Sequence, residues 1–336
     1  MLFCSEYLSF SALAAKACSS EHQVFLFKGA NSHGQLCNGN QDDILEPRQV
    51  QVPYPSIKYI KGGGGHTAVV TDDDDLYTAG WNNKGQLGLN SDDAEILKLT
   101  RVSSVTKVQS VSCGWNHTLI VCNNGQLYGC GSNQYGQIGV GDHLNETKQF
   151  CLISIPNEKA TVCAAGLRHS LIITDFGRVW AFGANKSGQL GLGKTDRKFV
   201  PVPEVVSSLN NKNITRVASG SQHSVALSDS GEVFCWGSNQ YGQCGVDPSK
   251  MENKLFASPL QIGGMLKKVK VSEVVSGWSH ILVKTDGGEV MSWGRADYGQ
   301  LGLGDDVVSQ GYCYVPQKIP HFKRPLQVPL TEPPCN

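Results

Sequence analysis

Residues 188–195 read Gly-Gln-Leu-Gly-Leu-Gly-Lys-Thr, a letter-for-letter match to the G-x-x-x-x-G-K-[ST] loop that cradles nucleotide phosphates. That chemistry needs a buried strand before the loop and a helix after it, with the helix N-terminus facing the phosphates. Pro201 and Pro203 follow closely and argue against such a helix. Five histidines, His66, His117, His169, His223 and His280, invite a reading as a metal ring or as catalytic bases. A metal needs several donors converging within about 2–2.6 Å of one ion. Histidines at matching places in successive units are instead spread around an axis. The expectation is one half-buried imidazole per unit, bonded to local backbone. The run Asp72, Asp73, Asp74, Asp75 resembles a calcium loop in composition, but it stands where other units place a hairpin, so a solvated turn is expected. No nucleophile–base pair and no cofactor fingerprint is present. The expectation is no covalent catalysis, no metal and no cofactor.

What positions these residues follows from composition and spacing. Lys and Arg number 29 against 29 Asp and Glu in 336 residues, which argues against a protein that works by wrapping nucleic acid phosphates. Only 17% of residues are charged, too few for a disordered acidic scaffold or a coiled coil. Glycine stands out at 38 residues, in a chain that is 40% hydrophobic, and points to many tight turns between short strands. The twelve cysteines show neither C-x-x-C nor zinc-finger spacing. Cys113, Cys122, Cys130 and Cys235 fall in apolar runs, as small core residues of a reducing compartment do. The N-terminal stretch lacks a basic start and carries Glu6, which argues against a signal peptide. No apolar run reaches the ~18 residues that would span a bilayer. The sequence therefore reads as a cytosolic or nuclear protein with no membrane insertion.

The dipeptide Gly-Gln recurs at Gly34, Gly85, Gly136, Gly188, Gly242 and Gly299, with steps of 51, 51, 52, 54 and 57 residues. G-x-x-H runs in phase and ends at the five histidines. Two marks drifting together identify structural repeats. Within one unit, Val162 to Gly193, an apolar strand leads to Gly166 and His169, and a second runs Ser170 to Thr174. Asp175-Phe176-Gly177 makes a hairpin, Arg178 to Phe182 returns, and a proline-flanked outer strand follows at Val200 to Val205. Four strands in about fifty residues make one propeller blade, which buries its faces only by stacking on neighbours.

The pattern G-x-x-H-[ST]…G-x-[VL]-[YFW]-x-[WCF]-G-x-N-x-x-G-Q-[LI]-G resembles the regulator of chromosome condensation repeat over roughly Val24 to Pro320. The resemblance implies an all-β fold, a β-propeller of four-stranded blades, seven in the family. Five full repeats and a partial one stand here, within residues 22–320. Residues 1–21 are expected to be poorly ordered, and the proline-rich residues 321–336 disordered. Ala296 replaces the turn Asn and Ile281 the Ser/Thr in the last unit. A ring short of seven blades is expected to be less stable and prone to self-association, with protease attacking near residues 1–60 first.

By the same resemblance, the pair inside each G-x-x-H lies at one mouth of the propeller. These pairs are Gly64-Gly65, Trp115-Asn116, Leu167-Arg168, Ser221-Gln222 and Trp278-Ser279. Trp115, Asn116, Leu167, Arg168, Gln222, Trp278 and Asp297 are the candidate partner-binding residues, with packing between blades the alternative for the tryptophans. A plant ultraviolet-B photoreceptor of the family uses tryptophans at such positions. That use needs clustered tryptophans from adjacent blades, and here the two copies are three repeats apart. The implied function is a guanine nucleotide exchange factor or regulator of a small GTPase, linked to secretion, with no small-molecule substrate. The alternative is a non-catalytic adaptor docking secretory or ubiquitin-system partners. Chromatin binding is disfavoured by zero net charge, and Lys267-Lys268-Val269-Lys270 is a thin substitute for a basic arm.

Overall fold

The computed structural model describes residues 26–49 and 56–320, with the strand segments Leu2–Phe3, Ala14–Ala15, Ala17–Cys18 and Gln23–Val24. Apart from those segments, the expectations for residues 1–21 and 321–336 fall outside the described residues.

Among the described residues the chain forms five four-stranded antiparallel sheets, each running in chain order from its first strand to its fourth. The second sheet is representative, with strands Val108–Cys113, His117–Cys122, Leu127–Ser132 and Glu146–Ile153. Its second strand is buried along its whole length, His117 and Thr118 included, because neighbouring sheets cover both faces. First strands of successive sheets pack on one another, for example Val108–Cys113 against Ala160–Ala165. Before the five sheets, Leu26–Gly29 pairs with Ile44–Gln49 as a two-stranded unit, which packs Phe27 and Leu36 on Ile60 and Tyr77. This is the propeller architecture, with five full units and a partial one as the repeats imply. Among the described residues no strand pairing joins the fifth sheet to the two-stranded unit.

Pro47, Pro201, Pro203, Pro259 and Pro316 all sit in outer strands. There the missing N–H leaves no inner ladder unpaired. The Asp-x-Gly hairpins lie at one end of the sheets. In the first sheet Asp74 takes the left-handed place that Gly125, Gly177, Gly231 and Gly288 fill elsewhere, with φ of 65°. Its carboxylate faces Lys58 at 2.7 Å and Asn123 at 2.9 Å, and the Asp75 carboxylate faces Arg101 at 2.8 Å. The aspartate run is the expected hairpin turn.

At the opposite end the N-x-x-G-Q turn explains its own letters. The Asn185 side-chain oxygen accepts from the Leu190 N–H at 3.3 Å, and its amide donates to the Lys194 carbonyl at 2.8 Å. The Gln189 side chain accepts from the Ser187 N–H at 2.9 Å. Gly136 has φ of 73°, and a Cβ there would stand 2.4 Å from Pro201 Cα in the outer strand of the next sheet. Gly85, Gly188 and Gly242 are pressed in the same way against Lys148, Ala257 and Tyr314. Ala296 cannot bridge as Asn does. The segment it would have gathered forms a short helix instead, Asp305–Gln310, and the Ala296 N–H donates to the Gly311 carbonyl at 2.9 Å.

Candidate functional site

The G-x-x-H loops join first to second strands, and the N-x-x-G-Q turns follow third strands, so antiparallel pairing brings both to one mouth. Hydrogen bonds link loop to loop around it. The Gly64 N–H donates to the Gly114 carbonyl at 3.0 Å, Trp115 to Gly166 at 3.3 Å, and Leu167 to Gly220 at 3.3 Å. Ser221 donates through both its N–H (2.9 Å) and its hydroxyl (2.6 Å) to the Trp278 carbonyl. Glycine is required at the head of each loop because the histidine ring lies directly beneath. A Cβ on Gly114 would stand 2.2 Å from the His117 ring and 2.7 Å from the Gly166 carbonyl oxygen.

The histidines correct the sequence reading. All five are buried rather than half-buried, and His66, His117, His169 and His223 bond across sheets to hydroxyls rather than to local backbone. His66 Nε2 meets the Thr118 hydroxyl at 2.8 Å, His117 meets Ser170 at 3.1 Å, and His169 meets Ser224 at 3.0 Å. Each of these hydroxyls donates its single hydrogen to a glutamine carbonyl, Gln86, Gln137 or Gln189, at 2.6 to 2.7 Å. It must therefore accept from the imidazole, which fixes the neutral ring with its hydrogen on Nε2. Burial, the leading cause throughout, lowers the pKa of His66, His117 and His223 to about 3 and of His169 and His280 to about 4. In the last unit, where Ile281 offers no hydroxyl, His223 meets Ser276 at 2.9 Å. The rings of His66, His117, His169 and His223 thus tie each sheet to the next.

The apparent phosphate loop is a repeat turn. Gly188, Gly191 and Gly193 all take positive φ, Lys194 is exposed, and the outer strand Phe199–Val205 follows where a nucleotide loop needs a helix.

The partner-binding candidates gather at the mouth. Trp115 and Trp278 are half-buried, and their rings meet edge to face with centroids 5.3 Å apart and planes at 72°. Separation by three repeats does not keep them apart, because sheets two and five face each other across the mouth. The requirement for adjacent blades is still not met. Asn116 and Leu167 are half-buried beside them, and Arg168 is exposed with its guanidinium 4.6 Å from the Tyr135 ring centroid. The exposed Gln222 accepts from the Ser187 hydroxyl at 3.3 Å. Exposed Asp297 pairs with Arg295 at 2.7 Å, and that bond holds the Asp297 carboxyl below its ordinary range.

Sequence reasoning missed the residue just before Gly-Gln. Tyr135, Tyr241, Tyr298 and His33 occupy that place and supply much of the aromatic surface. Arg295 lies over Tyr241 (5.1 Å) and Tyr298 (4.9 Å), and His33 stacks on Trp81 at 4.8 Å. The available signal was the one used for the G-x-x-H pair, variation within invariant flanks. Trp115, Trp278, Tyr135, Tyr241 and Tyr298 with Arg168 and Arg295 thus give the mouth aromatic and guanidinium groups, the composition of protein-binding anchors.

Comparison with known proteins agrees with this architecture. The chain is 40% identical over 289 residues to the secretion-regulating guanine nucleotide exchange factor of Bos taurus, covering 82% of this chain and 60% of that protein. The Mus musculus protein of the same name is 36% identical over 315 residues, covering 86% and 64%. The chain thus spans less than two thirds of these relatives. The Arabidopsis thaliana ultraviolet-B receptor UVR8 is 30% identical over 305 residues, covering 88% and 68%. Among solved structures, human WBSCR16 superposes with a TM-score of 0.78 at 23% identity, over 94% of this chain and 80% of that one. Prp20p of Saccharomyces cerevisiae gives 0.77 at 22%, over 91% and 76%. The RCC1-like domain description matches residues 13–330. This chain belongs to the RCC1-like domain family.

Proposed function

We propose that the mouth formed by the G-x-x-H loops docks a small GTPase, and that the chain serves as a guanine nucleotide exchange factor or regulator in secretion, in the cytosol or nucleus. The observation that carries the reading is the mouth itself. Trp115 and Trp278 touch across it, Arg168 lies over Tyr135, and Arg295 lies over Tyr241 and Tyr298. Support for the activity comes from the identity to exchange factors in cattle and mouse. Exchange asks only that a surface bind the nucleotide-free GTPase more tightly than the GDP-bound form, which is thermodynamic linkage rather than bond chemistry.

The test is release of a fluorescent GDP analogue from a panel of small GTPases, with wild-type chain and with Arg168→Glu. Accelerated release by wild type that the variant lacks supports the reading. Tight binding of a partner with no acceleration supports the adaptor reading instead, in which the same surface docks a secretory or ubiquitin-system protein. Support for it comes from similarity to the human E3 ubiquitin-protein ligase HERC2, 28% over 292 residues, covering 84% of this chain and 6% of that protein.

A further inference from the structure

In the first and fifth sheets a third-strand hydroxyl bonds the residue that follows Gly-Gln. Thr78 donates its hydroxyl to the Leu87 carbonyl at 2.9 Å, and Ser292 donates to Leu301 at 2.7 Å. In the fourth sheet both places are cysteine. Cys235 replaces the Thr or Ser, and Cys244 replaces the Leu. Both are fully buried, with their sulfurs 2.9 Å apart. Among the described cysteines no other two sulfurs are neighbours of this kind.

We propose that Cys235 and Cys244 form an intramolecular disulfide when the chain meets a small disulfide oxidant such as glutathione disulfide, fastening the mouth turn of the fourth sheet to its third strand. The sulfurs stand within an ångström of the bonded separation of about 2.05 Å. Both backbones are already held in place. Cys235 lies in the strand Val233–Ser238. The Cys244 N–H donates to the Asn239 side chain at 2.9 Å, and Gly242 is pressed against Tyr314 of the next sheet.

The chemistry balances without any group from the protein beyond the two thiols. One thiolate attacks a sulfur of glutathione disulfide and expels the first glutathione. The second thiolate attacks the protein sulfur of the mixed disulfide and expels the next. Two electrons leave the protein, and the two thiol protons end on the two glutathiones. Burial raises the Cys235 thiol well above its ordinary value, and both sulfurs are enclosed, so reaction with the oxidant waits on local opening. The bond would fix the turn that carries Tyr241, on which Arg295 rests.

The test uses the full chain, incubated with glutathione disulfide in buffer and in low urea, then denatured and alkylated without reductant. Trypsin releases both cysteines in one peptide, residues 217–250. The expected peptide carries no alkyl group and is lighter by the mass of two hydrogens. Cys235→Ser, a residue the fifth sheet accepts at this place, and Cys244→Leu, as in the first and third sheets, each leave the remaining cysteine unbridged. The unfolding midpoint of oxidised wild type rises and returns on reduction, and neither variant shows this shift. A wild-type peptide that takes two alkyl groups in low urea, or that retains an unresolved glutathione, overturns the proposal.

Discussion

His117 donates its Nε2 hydrogen to the Ser170 hydroxyl of the following sheet across 3.1 Å. The proton is thereby committed to an interface between sheets, and so is the charge state of the ring.

Acid should therefore loosen the propeller earlier than carboxylates alone would. The five repeat histidines have folded pKa values of about 3 to 4, against an ordinary value of about 6.5. Between those limits the unfolded chain binds protons that the folded chain refuses. Stability is full above about pH 6.5 and is lost as pH falls, by up to about 1.4 kcal/mol per pH unit for each ring. Urea midpoints should hold from pH 7.5 to about pH 6.5 and then fall steeply to about pH 5. His117→Gln, which keeps a donor toward Ser170, should lower the slope by about one proton. A flat midpoint over that range would contradict the buried neutral ladder.

Two serines at equivalent places should behave differently. The Ser276 hydroxyl receives His223, whereas the buried Ser219 hydroxyl has no partner. Ser276→Ala strands an imidazole N–H and should cost about 1–3 kcal/mol. Ser219→Ala should be neutral or stabilising. Denaturant titration of both variants decides the matter, and equal losses would remove the special role of Ser276.

Trp115→Ala and Trp278→Ala should each weaken partner binding by more than about 1 kcal/mol. Because the rings touch, the double variant should lose less than the two single losses combined, with a coupling of about 0.5–1.5 kcal/mol. Calorimetric titration with a partner from the exchange panel measures the cycle. Strict additivity, or unfolding of either single variant, would place these rings in the packing rather than in the binding surface.

Lys194→Ala should leave nucleotide behaviour unchanged. The residue lies on an exposed turn, and what it gives the fold is its backbone carbonyl, which receives the Asn185 amide. Equilibrium dialysis with labelled GTP and GDP reads this directly. Nucleotide binding by wild type that the variant loses would reinstate the phosphate loop.

The blades were legible because their letters encode local bonds. Asn185, Gln189 and Gly188 act within one turn, so the spacing of N-x-x-G-Q carries its own geometry. Contacts between units were much less so. The Trp115–Trp278 contact depends on how far the stack of sheets curls, which repeat length does not state. The histidine partners lie 52 to 55 residues downstream in the next sheet, where a pattern read one unit at a time does not look. Ser276 could not be found by alignment at all, since it answers for a hydroxyl that Ile281 lacks, from a different strand.

The seating of each turn glycine on the outer strand of its neighbour has a consequence for how such a chain can lengthen. Gly136 on Pro201, Gly188 on Ala257 and Gly242 on Tyr314 work like pawls, so no unit can slide or gain a residue at its inner edge without lifting the next. New chain has to emerge at the periphery, in stretches such as Ser207–Leu209, Pro248–Lys250 and Gly264–Lys268. Growth of the repeat from 51 to 57 residues thus keeps these seats and places the added chain in those outlying stretches.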